Sequence, residues 1–261
     1  MKRLAAGGIV VEKGGRRILD EVKIELRAGE FVGIIGPNGS GKSTLLRVLA
    51  RLERPIAGQV SIDDVDLSGI SAVELARRIG YHEQNPRLHW PLHVRTIVAL
   101  GRLPHVRGLG ALGEHDRRLI ADAISETDLH ALLDRRGNVL SGGELARVHI
   151  ARLIAGGHEL ILADEPIANL DPRFQMEILG TLRRHTKEDR GAAVVLHDLN
   201  IASRHCDRLV LLKEGRAVAT GTPQDVLTSE NIETVFGVSS RYLKDAGIDQ
   251  ALGSRTPITG R

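Results

Sequence analysis

Apolar positions along the first fifty residues take three forms in succession. Val22, Ile24 and Leu26 alternate with charged neighbours, which predicts a strand with one buried and one solvated face; Ile9–Val11 predicts a shorter strand before it. Phe31–Ile35 is almost wholly apolar, the pattern of a strand buried on both faces. It runs through a glycine-rich turn into helical spacing at Leu45, Val48, Leu49 and Leu52. The unit is strand, loop, helix.

From about residue 85 the period lengthens. Helical patterns at His115–Glu126 and Leu129–Leu133, broken by Pro86, Pro91, Pro104 and the glycine-rich Gly108–Gly113, predict a helical insertion over residues 85–155. Alternation then resumes. Strands are predicted at Leu160–Ala163, Ala192–Leu196 and Leu209–Leu212, with helices at Arg173–Lys187 and Ile201–Cys206 between them, the order of an α/β sheet. One domain results: residues 4–84 and 156–237 form the α/β core, 85–155 the helical part and 238–261 a peripheral tail rich in Gly and Pro.

Composition narrows the classes. With 261 residues and 42% apolar content the chain can fill a core, yet its longest apolar runs are strand-sized, far below the roughly 18 residues that span a bilayer. A membrane role is therefore expected to come through a partner. The N-terminus carries two early positive charges but no continuous apolar stretch, so no export signal is expected. A single cysteine, Cys206, rules out an intrachain disulfide and fits a reducing compartment. Net charge is +3, the arginine pairs are scattered among acids, and aromatics are 2%, so no nucleic-acid partner is expected. The 11 histidines form no tight ligand pairs, which leaves no zinc cluster.

Three local patterns carry chemistry. Gly36-Pro37-Asn38-Gly39-Ser40-Gly41-Lys42-Ser43-Thr44 fits GxxxxGK[ST] between a predicted strand and a predicted helix. Backbone N–H groups of such a loop curl around phosphates, Lys42 neutralises the β/γ charge, and the Ser43 hydroxyl suits Mg²⁺. The chain is thus expected to bind a nucleoside triphosphate. Leu160–Ala163 ends in Asp164-Glu165; beside a P-loop, Asp164 suits the Mg²⁺ shell and Glu165 suits orienting and polarising water against the γ-phosphate. Leu140-Ser141-Gly142-Gly143-Glu144 opens the apolar helical pattern Leu145, Val148, Ala151 and Ile154, and makes a second anion-facing helix start.

Taken in order, the P-loop, Gln84, the signature Leu140–Glu144, Asp164-Glu165, Asn169-Leu170-Asp171 and His197 resemble an ABC-type ATPase subunit over roughly residues 4 to 237. The resemblance implies an α/β P-loop ABC ATPase core with an N-terminal antiparallel β subdomain and an inserted α-helical subdomain. It implies ATP and Mg²⁺ as ligands, with Gln84 joining Ser43 and Asp164 at the metal. Gln84, Glu165 and His197 would be catalytic, His197 holding the γ-phosphate and the attacking water. Ser141, Gly142, Gly143, Glu144 and Asp171 would face the nucleotide of a second ATPase subunit, so a homodimer is expected. Lys13 falls where the family usually stacks an aromatic on adenine, so it would contact ATP there; its stem can cover a base edge but offers no π-face. Glu83 replaces a common apolar residue or proline, Ile167 a common small hydroxyl, and Glu144 the commoner Gln.

The segment Trp90–His105, with Leu100-Gly101-Arg102-Leu103-Pro104-His105, resembles the stretch after the glutamine in ATPases of the iron-siderophore, heme and cobalamin import group, and Val94, Ile97, Val98 and Leu100 within it are also expected to pack a helix. This implies an integral membrane permease received by residues 85–95, a periplasmic binding protein acting indirectly, and a peripheral place on the cytoplasmic face of the bacterial inner membrane. Trp90 reads equally as an anchor for the permease or as core. A soluble ABC ATPase acting in assembly or repair, or the ATPase of another ABC transporter type, is the alternative.

Overall fold

Residues 3–86, 90–106, 111–187 and 189–238 are described by a computed structural model. β1 (Arg3–Lys13) and β2 (Arg16–Arg27) pair antiparallel across Gly14-Gly15, whose φ values of 56° and 74° are those of the tight hairpin turn that a right-handed strand twist favours. β3 (Phe31–Ile35) leaves this hairpin, while β4 (Ala57–Ile62) and β5 (Val65–Asp66) return to it, completing an antiparallel sheet of order β2-β1-β4-β5. The expected N-terminal antiparallel unit is present.

β3 founds the second sheet with β6 (Ile79–His82), β7 (Leu160–Ala163), β8 (Gly191–Val195), β9 (Arg208–Lys213) and β10 (Arg216–Gly221), in the order β10-β9-β3-β8-β7-β6. All pairings are parallel except that of β10 with β9. Side chains alternate across it. Phe31, Ile161, Val194 and Leu211 enter one core, Val32, Leu162, Val195 and Leu212 the other, which is why these strands read as unbroken apolar runs. The order places the carboxyl ends of β3, β8, β7 and β6 side by side. These ends carry the P-loop, His197, Asp164-Glu165 and Gln84.

α1 (Lys42–Leu49) and α2 (Ala72–Arg78) precede β6. The helical part follows it, with α3 (Val94–Ala99), α4 (Glu114–Glu126) and α5 (Gly142–Ala155) packed together through Val98, Ile124 and Val148. α6 (Pro172–His185), α7 (Leu199–His205), α8 (Pro223–Val226) and α9 (Ser229–Phe236) complete the chain. No helix among the described residues is long and apolar enough to cross a membrane.

The Leu100–His105 motif has a structural task. Arg102 is 3% exposed; it donates to the Ala155 and Gly156 carbonyls at 3.2 and 2.7 Å and to Asp116 at 2.8 Å, so it closes the C-terminal end of α5 and ties it to α4. His105 Nε2 adds a 3.0 Å bond to the Gly156 carbonyl. Gly101 is dictated by sterics, since a Cβ there would collide with the Arg152 carbonyl.

Three expectations are corrected. Leu52 is not on the first helix: α1 ends at Leu49, Arg51 turns the chain with φ of 56°, and Leu52 is left 61% exposed. Leu129–Leu133 forms a 3-10 turn at His130–Leu132 rather than an α-helix. Leu100, expected to pack with Val94, Ile97 and Val98, is 40% exposed because it begins the 3-10 turn Leu100–His105. Residues 87–89, 107–110 and 239–261, which include the expected tail and parts of the 85–95 and 108–113 segments, lie outside the described residues.

His82 of β6 and His149 of α5 meet in the interior with ring centroids 6.2 Å apart. Burial, reinforced by the charge of Arg152, pushes them down to about 4 and about 3. Neither His149 nitrogen has a hydrogen-bond partner among the described residues. Such rings take up protons more readily unfolded than folded. Stability is therefore full above the unfolded value near 6.5 and is lost as pH falls toward the folded values. Each ring should cost about 2 kcal/mol at pH 5. Urea unfolding at pH 7.5 and 5 should show that loss, and His149→Leu should remove about half of the difference. An unchanged pH dependence in that variant would contradict the assignment.

Candidate active site

The P-loop bridges β3 and α1. Gly36 has φ of 146°, and a Cβ there would strike the Leu212 carbonyl and approach Ser40 Oγ to 2.9 Å, so no side chain fits. Gly41 caps α1 in the left-handed region with no side-chain cap bond, which leaves the first-turn N–H groups pointing outward. Lys42, 6% exposed, donates from Nζ to the Gly36 and Pro37 carbonyls at 2.8 and 2.9 Å. Burial lowers its pKa, and the charges of Glu165 and Asp164 oppose the shift.

A cleft of about 570 Å³ opens above this loop. Asn38, Gly39 and Gly41–Thr44 form its base, Gln84, Glu165 and His197 its wall, with Ile18 also lining it. The three wall residues lie just beyond the carboxyl ends of β6, β7 and β8 and are 32 to 113 positions apart in sequence, yet strand order alone brings them together. Ile18 was not anticipated; nothing in its local pattern separates it from any other strand residue.

Asp164 is fully buried. Its Oδ1 accepts from Ser43 Oγ at 3.0 Å, its backbone N–H donates to the His82 carbonyl at 2.9 Å, and Oδ2 has no protein partner among the described residues. Burial raises its pKa, partly offset by the Ser43 bond. Glu165 lies just beyond β7 with φ of 50°, a backbone conformation uncommon outside glycine and concentrated at functional positions. Its Oε1 is 2.6 Å from His197 Nε2; the carboxylate is 14% exposed and the imidazole 44%. An enclosed carboxylate beside an accessible imidazole, both over a phosphate-binding loop, can take a proton from water and position it.

The ABC transporter family profile matches residues 19–168, more than half of the chain. The chain belongs to the ABC transporter ATP-binding family. It is 41% identical over 249 residues to the hemin import ATP-binding protein of Bordetella pertussis, covering 92% of this chain and 94% of that protein. Against the hemin import ATP-binding protein of Pseudomonas aeruginosa the identity is 38% over 240 residues, covering 90% and 92%. Among solved structures, a metal-chelate type ABC transporter in an inward-facing conformation superposes with a TM-score of 0.79 at 26% identity, covering 92% of this chain and 90% of that one. A dimeric bacterial ABC transporter cassette gives 0.74 at 30% identity, covering 84% and 98%. ABC ATP-binding subunits bind ATP and hydrolyse it to drive transport, and this chain is such an ATPase.

In this ABC subunit the second helix start stands apart from the cleft. Ser141 and Gly142 are exposed, as is Asp171, and none of them lines the cleft. Ser141 caps α5: its Oγ accepts from the Glu144 N–H at 3.3 Å, and Glu144 Oε2 accepts from the Ser141 N–H at 2.8 Å. Arg135 sits 3.3 Å from the other Glu144 oxygen. These backbone and side-chain bonds from Ser141 hold the Glu144 carboxyl below its ordinary range. Within its own chain Glu144 therefore acts as a cap, with both of its oxygens engaged there.

Lys13 likewise does not line the cleft. Its ammonium is paired with Glu53 at 2.6 Å. Ile167 is 8% exposed and joins the core against α6, which accounts for an apolar residue where a hydroxyl is commoner. Glu83 is exposed and its charge acts on the half-buried Arg152 of α5, a link between the Gln84 segment and the signature helix. Trp90 is 74% exposed and so is not core.

Proposed function

We propose that this chain is the ATP-hydrolysing subunit of an importer of hemin or a related iron complex. It would act as a dimer on the cytoplasmic face of a membrane, beneath a permease that a periplasmic binding protein loads from the other side. What carries the reading is near full-length likeness to hemin import subunits at about 40% identity, joined to an intact cleft. The exposed Trp90 supports a docking role for the segment after Gln84.

In this reading the triphosphate lies along the P-loop, with Lys42 released from the Gly36 and Pro37 carbonyls to the phosphates. Asp164 Oδ2, without a partner among the described residues, and the Ser43 hydroxyl beside it make an all-oxygen set that fits Mg²⁺, with Gln84 as a further ligand. Mg²⁺ held there supplies charge neutralisation at the phosphates. Glu165 would accept a proton from the attacking water as the water oxygen bonds to the γ-phosphorus, the bond from γ-phosphorus to the bridging oxygen would break, and ADP and phosphate would leave. His197, 2.6 Å from Glu165, orients that carboxylate and reaches the γ-phosphate. Ser141, Gly142, Gly143 and Glu144, with Asp171, complete the partner subunit's site.

Reconstitution with the permease tests the proposal. The subunit should co-purify with a polytopic membrane protein, and hemin-loaded binding protein should raise turnover several-fold. No co-purification, or stimulation only by a cobalamin-loaded protein, would overturn it.

A further inference from the structure

Two adjacent glycines open α5, and their surroundings differ. A Cβ on Gly142 would meet nothing within 4 Å, whereas a Cβ on Gly143 would stand 2.5, 2.6 and 2.8 Å from three ring carbons of Phe174. Gly143 is helical and buried, with no positive φ to explain the absence of a side chain. Its neighbour in the fold explains it instead.

Phe174 is well placed to transmit position. It lies in the first turn of α6, three residues after Asp171, and the Arg147 guanidinium of α5 is 5.6 Å from its ring centroid. Arg147 in turn donates to the Thr127 and Asp128 carbonyls at 3.4 and 3.2 Å, just beyond α4. The residue after Phe174, Gln175, donates from Nε2 to the Leu170 and Ile167 carbonyls at 3.0 and 3.5 Å, and so holds the chain that runs from Glu165 to Asp171. One helical turn therefore grips both the signature helix and the segment leading back to the carboxylate of the same subunit.

We infer that Phe174 is a positioning residue that locks the start of α5 to the Glu165–Asp171 segment, and that its ring is what requires Gly143 to lack a side chain. Gly142, by contrast, has no such neighbour among the described residues. The inference rests on the composite-site reading above for its effect on turnover, since it is the partner's nucleotide that the positioned helix start would serve.

Steric rescue tests it, using the full chain at concentrations that support dimerisation. Gly143→Ala should lower kcat at least tenfold while leaving ATP affinity at the subunit's own P-loop within twofold. Phe174→Leu should lower kcat by less than tenfold with little change in KM. In the double variant the added methyl meets no ring, and kcat should return to within threefold of Phe174→Leu alone. A double variant as slow as Gly143→Ala would overturn the inference. If Gly143→Ala does not fold, recovery of both a cooperative melt and turnover on adding Phe174→Leu or Phe174→Ala is the expected result, and recovery by neither overturns it. Failure of the composite-site reading would show elsewhere, as normal turnover in Ser141→Arg.

Discussion

Glu165→Gln is expected to reduce ATP turnover by roughly 10²–10⁴-fold, the usual loss when a general base is removed, without weakening ATP binding. Gln has nearly the same size as Glu and can keep a hydrogen bond to His197, so the 2.6 Å contact and the φ of 50° at this position need not change. What it loses is basicity. Lys42, Ser43 and Asp164, which hold the phosphates and metal in the proposed reading, are untouched. Stability should stay within about 0.5 kcal/mol, as for a near-isosteric change that creates no cavity. Because closure follows ATP binding and reopening follows hydrolysis, the variant should accumulate as an ATP-bound dimer. Phosphate release and size-exclusion chromatography with ATP and Mg²⁺ read the two effects. Turnover above a tenth of the parent would remove Glu165 from the role of base and shift attention to His197.

The parts of this site that were legible in the sequence are those whose chemistry is local. GxxxxGK[ST] needs only nine consecutive residues between a strand and a helix, and β3 and β7 were read to the residue because burial on both faces leaves no polar interruption. β4, with the sequence Ala-Gly-Gln-Val-Ser-Ile, and β10, at the sheet edge with every other residue exposed, gave no such signal and were missed. Short α2, α8 and α9 escaped for a related reason, since one or two turns hold too few apolar positions to define a period. The roles within Leu140–Glu144 were the least legible. The Ser-x-x-Glu spacing at Ser141–Glu144 is the local signal that could have found the cap, whereas no local signal shows that Gly143 faces a ring 31 residues later, because that depends on how α5 and α6 pack.

Ser141→Arg is the second large effect, and it separates one subunit's contributions from those of two. Ser141 is exposed, lies at the start of a 14-residue helix and does not line the cleft of its own chain. An arginine there would project into whatever faces that helix start. It should therefore leave ATP affinity at the same subunit's P-loop within twofold, while turnover falls at least a hundredfold and ATP-driven dimerisation disappears. Losing the cap costs about 1 kcal/mol of helix stability, so Ser141→Asn, which preserves a capping oxygen, is the control and should fold as the parent does. Mixing decides the matter. Lys42→Ala abolishes phosphate binding but keeps an intact signature, and Ser141→Arg does the reverse, so each is inactive alone. In a mixed dimer one composite site inherits both defects and the other inherits neither. Turnover should then reappear on mixing two dead proteins. Sites confined to single subunits would give none at any ratio, and that result would end the argument that Ser141 serves its partner.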